Sequence, residues 1–154
     1  MKKIDYIIIV ALAFLHISCD NQVTQQNEDQ QINQYIEAHH PGAEAEMNGL
    51  YIIHQTVTQG IAAMPGNRVI VDYEGRFLDG RVFDSSYDRQ QPIAFVLGSG
   101  KVIAGWEQGI ATMREGEKAE FIIPSFLAYG DRRVGPIAPN TPLVFSVTLV
   151  KVEP

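Results

Sequence analysis

The sequence predicts an α+β domain: a twisted antiparallel β-sheet wrapped around one short α-helix, with an N-terminal helical extension. Three observations carry this. Beyond residue 50 most apolar residues fall in short runs rich in β-branched and aromatic side chains, the composition of strands. Gly and Pro break these runs at short intervals. One stretch, VIAGWEQGIATM, leaves that rhythm and sets Ile103, Trp106, Ile110 and Met113 on a single helical face.

Taken in order, the chain opens on MKK and the apolar run IIIVALAFL (7–15). This run falls short of the ~20 residues that span a bilayer, and residues 1–18 read as a signal peptide. DNQVTQQNEDQQ contains one apolar residue, Val23, so 19–31 is expected to be a flexible polar tether. QINQYIEAHH follows, with Ile32, Tyr35 and Ile36 at helical spacing and Pro41 and Gly42 as the stop. A short helical extension is expected over 32–45, lying on the domain or pairing with a second copy as a dimer contact. His39 and His40 point apart on a helix and are expected to be solvated at its C-terminal end.

The domain proper is expected over 46–154. LYIIHQTV, RVIVDYEGRF and RVF read as strands, with LDG as the hairpin turn between the last two. PIAFVL is a further strand, and the helix that follows is expected to close at Gly116. AEFIIP, the long loop SFLAYGDRRVGPIAPNTP and the alternating strand LVFSVTLVKVE complete the chain. With 154 residues, 45% of them hydrophobic, one core plus an extension is accounted for.

Several function classes are excluded. Net charge is −6 with no basic block, which argues against nucleic acid. GSGK at 98–101 suggests a phosphate loop, but the early glycine position is Phe95 and Val102 stands where Ser or Thr would bind magnesium. There is no Gly-x-Ser-x-Gly elbow and no His-Glu-x-x-His pair, and His54 reads as an exposed strand residue. Neither a metal nor a cofactor is expected. The only cysteine, Cys19, lies outside the domain, in HISC. That tetrapeptide resembles a bacterial lipobox, with Ser18 before the acylated cysteine and His16 where Leu is usual. It implies an exported lipoprotein, membrane-anchored at the periplasmic face or in the outer membrane of a bacterial envelope. What remains is a density of aromatics near loop edges: Tyr73, Phe83, Phe95, Trp106, Phe126, Tyr129 and Phe145.

Five motifs give these aromatics a context. They are Y-x-G-x-x-x-D-G at Tyr73–Gly80, VFDSS at 82–86, VI-x-GWE at 102–107, AYG at 128–130 and P-x-x-x-LVF at 139–145. In this order and spacing, over roughly residues 50–153, the chain resembles the FK506-binding-protein family of peptidyl-prolyl cis–trans isomerases. The resemblance implies a sheet cupping a short helix and a cofactor-free, non-covalent isomerase acting on proline-containing polypeptides. It also implies binding of FK506- and rapamycin-type ligands.

By the same resemblance Trp106 is the floor of an apolar pocket, with Gly105 giving the indole room. Val102 and Ile103 form one wall, and Tyr73, Phe83, Ile93, Phe95 and Phe145 complete the lining. Asp84 is the polar residue, steered by Arg89 and Tyr73. The Ile103 N–H and the Tyr129 hydroxyl hold the peptide, and Ile137 comes from the flap. Asp84, Tyr129 and Tyr73 are the expected catalytic residues. Ile93 replaces a commoner aromatic, and the flap differs at Pro136, Ile137 and Ala138. The alternative function on the same residues is a client-binding chaperone module with little turnover.

Overall fold

The computed structural model describes residues 27–46 and 48–154. The expected signal segment 1–18, Cys19 and the tether up to residue 26 lie outside the described residues. The elements are helix α1 (27–39), β1 (Tyr51–Thr56), β2 (Arg68–Phe77), β3 (Val82–Ser85), the one-turn α2 (Ser86–Arg89) and β4 (Ile93–Val96). Then come α3 (Ala104–Ala111), β5 (Lys118–Ile123), a 3₁₀ turn (Ser125–Leu127) and β6 (Leu143–Glu153). α+β architecture is what the periodicities required.

All strand pairs are antiparallel, in the order β1-β5-β6-β2-β3, with β4 also on β2. β4 pairs Arg68–Val71 and β3 pairs Glu74–Arg76, so two short strands share one edge of β2. The gap between them is closed by fully buried Ser86, whose Oγ accepts from the Tyr73 N–H at 2.9 Å and donates to Asp72 at 2.8 Å. That bond supplies a partner for a backbone donor the missing strand residue would have taken. It also anchors the α2 turn beside Tyr73.

α3 lies across one face, placing Trp106 and Ile110 in the core with Phe121, Ile123 and Val147. Two glycines let it approach. A Cβ at Gly109 would come within 2.6 Å of the Phe121 ring, and one at Gly105 within 2.5 Å of Ile123 Cγ2. Gly105 therefore makes room for Ile123, rather than for the indole as expected. The helix ends at Ala111, with Thr112 as its cap. Gly116, expected as the helix stop, instead takes φ +86 in the turn leading to β5.

The opposite face is covered by α1. Ile32 and Ile36 are buried against Ile122 and Val144, with Tyr35, Tyr51, Ile53 and Leu78 packed around them. The residues that suggested a dimer contact thus face the chain's own sheet. The helix also starts earlier than expected, taking in residues 27–31 of the presumed tether. Glu28 among them is only 7% exposed.

Glu120 fastens α1 to the sheet. Its side chain, 9% exposed, accepts from Tyr35 Oη at 3.1 Å and from Arg76 Nη2 at 2.8 Å, and meets His40 Nε2 at 2.8 Å. His40 is therefore an internal partner, not a solvated helix end. His39 stacks on Tyr35 with ring centroids 4.2 Å apart. Burial alone would raise the Glu120 pKa, but His40, Tyr35 and Arg76 outweigh it and hold it below the usual range. Tyr35 moves the other way, to about 12, through burial and the neighbouring Glu120 charge. A depressed carboxyl contributes stability that is present above its unfolded value, here 4.5, and lost as pH falls through the folded value. Wild type is expected to be more stable than Glu120→Gln at pH 7, with the gap closing as pH drops below 4.5 in urea titrations. A gap that stays constant with pH would exclude this anchor.

Candidate active site at the start of the central helix

The cavity forms where β2, β3 and β6 meet the N-terminus of α3. Ile103 is the residue before that helix, in extended geometry (φ −61, ψ 150), and its carbonyl accepts from Trp106 and Glu107. The glycine loop before it is tied down by Glu107, whose carboxylate accepts from Gly98 N–H at 2.5 Å and Gly100 N–H at 2.9 Å. The amides that a phosphate would need are occupied by the chain's own glutamate. The GSGK loop is a structural brace.

Behind that brace the rings interlock. Trp106, 4% exposed, meets Tyr73 at 5.0 Å and 81° and Phe145 at 5.3 Å and 86°; Phe83 meets Phe145 at 5.6 Å and 87°. These are edge-to-face pairs, the arrangement aromatic quadrupoles favour. A cavity of about 480 Å³ opens to solvent above them. Its lining includes Tyr73, Phe83, Asp84, Ile93, Val102, Ile103, Trp106, Tyr129 and Phe145, bringing together nine of the expected residues. Trp106 Nε1 is buried with no hydrogen-bond partner among the described residues.

Asp84 is the pocket's carboxylate. Tyr73 Oη donates to its Oδ2 at 2.5 Å, Arg89 Nη1 donates to its Oδ1, and Arg89 Nη2 donates to Tyr73 Oη at 2.8 Å. This triangle sets the carboxylate's direction. Burial pushes the Asp84 pKa up, but the Tyr73 and Arg89 hydrogen bonds and the Arg89 charge bring it below the ordinary value. Tyr73 is raised by burial and by Asp84, and Tyr129 by burial and by the Asp84 charge. Asp84 is therefore an anion and both tyrosines are neutral donors at neutral pH.

Three expected lining residues lie elsewhere. Phe95, 3% exposed, lies beneath the floor with its ring 6.3 Å from Trp106. Arg89 acts on Asp84 and Tyr73 from outside the cavity. Ile137, 4% exposed, packs into the main core, where reciprocal bonds with Val134 make the flap a tight turn. Arg132 and Arg133 were expected to add positive charge at the rim, and Arg132 does line the cavity; Lys101, Ala104 and Ala128 line it without having been picked out as contact residues. Lys101 carries no signal beyond its place beside the VI-x-GWE motif. Gly75, a glycine of the Y-x-G-x-x-x-D-G motif that had been given no role, gains one here: a Cβ there would come within 2.7 Å of Phe83 and 2.8 Å of Phe145, so its bareness lets both rings pack.

Residues 59–150 match the model of the FKBP-type peptidyl-prolyl cis–trans isomerase family. The chain belongs to that family. It is accordingly a peptidyl-prolyl cis–trans isomerase of the FKBP type. It is 58% identical over 95 residues to the peptidyl-prolyl cis–trans isomerase FPR2 of Saccharomyces cerevisiae, covering 60% of this chain and 70% of that protein. It is 54% identical over 92 residues to FK506-binding protein 2 of Debaryomyces hansenii, covering 60% and 68%. Among solved structures, FkpA of Escherichia coli is similar with a TM-score of 0.71 and 30% identity, covering 99% of this chain and 73% of that one. A peptidyl-prolyl isomerase of Pseudomonas syringae matches with a TM-score of 0.73 and 34% identity, covering 86% and 96%. The FKBP resemblance of the motifs thus holds for sequence and fold alike.

Proposed function

We propose that this FKBP-type isomerase accelerates rotation about X–Pro bonds of exported polypeptides at a bacterial envelope, tethered there through acylated Cys19. The open aromatic cavity over Trp106, with one oriented carboxylate, is the observation that carries the reading.

An X–Pro bond crosses a barrier of ~18–20 kcal/mol because twisting breaks amide resonance. In the twisted state the carbonyl is less dipolar and the nitrogen is pyramidal. A cavity walled by the rings of Tyr73, Phe83, Trp106 and Phe145 solvates the planar, dipolar amide less well than water does, and so lowers the barrier. Each ~1.4 kcal/mol of that difference is tenfold in rate. Tyr129, whose hydroxyl receives no hydrogen bond from another described side chain, is free to donate to a peptide carbonyl. The Ile103 N–H precedes the first turn of α3 and is not needed by the helix. Asp84 faces the rotating group, and the step needs neither proton transfer nor a covalent intermediate. FK506- and rapamycin-type ligands fit the same cavity by the same chemistry.

The envelope assignment rests on the apolar run 7–15, Ser18 and Cys19. The test is to purify the full chain from membranes, weigh its N-terminus and assay proline-limited peptide isomerisation. A chain beginning at an acylated Cys19 that accelerates isomerisation is expected. An intact Met1 with free Cys19 would remove the anchor. A folded chain without acceleration would leave only client binding.

A further inference from the structure

We infer that Glu28, in the N-terminal helix outside the matched family region, is a positioning residue for Tyr129 of the isomerase site. This deepens the reading of Tyr129 as the peptide-holding hydroxyl and rests on it.

Glu28 is a carboxylate with only 7% exposure in a segment whose composition suggests a tether. Burying a charge is costly unless it is hydrogen-bonded, and Glu28 has two donors on one residue. Ser125 N–H and Ser125 Oγ both bond to it, 97 residues along the chain, and Ser125 is itself 5% exposed. The Ser125 carbonyl then accepts from Ala128 N–H at 2.9 Å and from Gly130 N–H at 2.8 Å. Those two amides flank Tyr129 on either side. The Gly130 carbonyl in turn accepts from Asn140 N–H at 2.7 Å, closing the base of the flap.

A single residue, Ser125, is therefore gripped by α1 on its donor side and grips the Tyr129 segment on its acceptor side. Hydrogen bonds in series polarise and orient one another. No helix or strand holds Tyr129, which follows the 3₁₀ turn in irregular backbone, so its hydroxyl is placed only as well as that turn is placed. Ile32 and Ile36 pin the same helix to the sheet, which fixes where Glu28 stands.

The experiment is a double-mutant cycle in the full chain, with Glu28→Ala and Tyr129→Phe made singly and together and kcat/KM measured on a proline-limited peptide. Glu28→Ala is expected to lower kcat/KM about tenfold, the scale of a lost charge-assisted hydrogen bond. In the Tyr129→Phe background the same substitution should change it by less than about twofold, because Glu28 acts only through that hydroxyl. An equal loss in both backgrounds, or no loss in either, overturns the inference while leaving Tyr129 in place. A fully active Tyr129→Phe overturns the underlying reading of Tyr129 instead. If Glu28→Ala does not fold, Glu28→Gln and Ser125→Ala complete the same cycle, each with a smaller loss that must also vanish in the Tyr129→Phe background.

Discussion

Asp84→Leu is expected to lower kcat/KM for proline-limited isomerisation by about 10- to 100-fold while the domain stays folded. Leu matches Asp in neither charge nor hydrogen bonding, so Tyr73 Oη and Arg89 both lose their acceptor. A hydrogen bond to a charged group is worth roughly 1.5–3 kcal/mol, which corresponds to that range of rate. The stability cost should be small, because the Asp84 side chain is 40% exposed and solvent screens the pair with Arg89. Asp84→Asn keeps an acceptor for Tyr73 and should retain more activity than the Leu variant. Because the Asp84 pKa is lowered, the wild-type rate should also stay level on acidification until below 3.8, the carboxyl's ordinary value. An Asp84→Leu chain with unchanged kcat/KM would remove Asp84 from the site.

The largest effects on stability are expected where α3 rests on β5. Phe121 is fully buried, and its truncation to Ala should cost about 3–5 kcal/mol in urea unfolding. Gly109→Ala places a methyl within 2.6–2.9 Å of three atoms of that ring, closer than side-chain atoms tolerate. The ring cannot swing away through a packed core, so α3 must lift, at a cost of about 1–3 kcal/mol. The pair tests the mechanism. In Gly109→Ala/Phe121→Ala the cavity left by the ring receives the methyl, and the combined loss should be smaller than the sum of the singles. Strict additivity would mean that the close approach of helix and strand is not what fixes Gly109. Lifting α3 would also move Trp106 on the same helix, so the singly substituted Gly109→Ala should lose activity before it loses its fold.

Much of the domain was legible before any coordinates. LVFSVTLVKVE and RVIVDYEGRF were readable end to end as β6 and β2, because strand composition and flanking Gly, Asn and Pro mark both limits. The helical spacing of Ile103, Trp106, Ile110 and Met113 located α3, since only a 3.6-residue period puts these four together. The residues that line the cavity were named through the five motifs, not through periodicity. Tyr73, Asp84, Trp106 and Tyr129 are 56 residues apart at the extremes, and no local pattern joins them.

The misjudged elements share one cause: what a side chain touches depends on segments remote in sequence. Ile137 reads as a flap contact, yet folding turns it into the core. Gly105 reads as space for a neighbouring indole, yet the atom it spares belongs to Ile123. In AEFIIP the apolar residues do not alternate with polar ones, because Phe121 and Ile123 face α3 while Ile122 lies under α1. Residues 27–31 carry the polar composition of a tether, and their helical state comes from docking.

The sequence by itself determined the class of fold, the strands and the central helix, because periodicity and turn chemistry are properties of neighbouring residues, while the kind of site followed from the family resemblance of the five motifs. Only the tertiary structure decided that α1 is packed onto the sheet, that Glu107 fills the glycine loop and that Glu28 reaches Ser125. Each of these joins groups that are separated along the chain, and such contacts exist only once the sheet has brought its two faces into being.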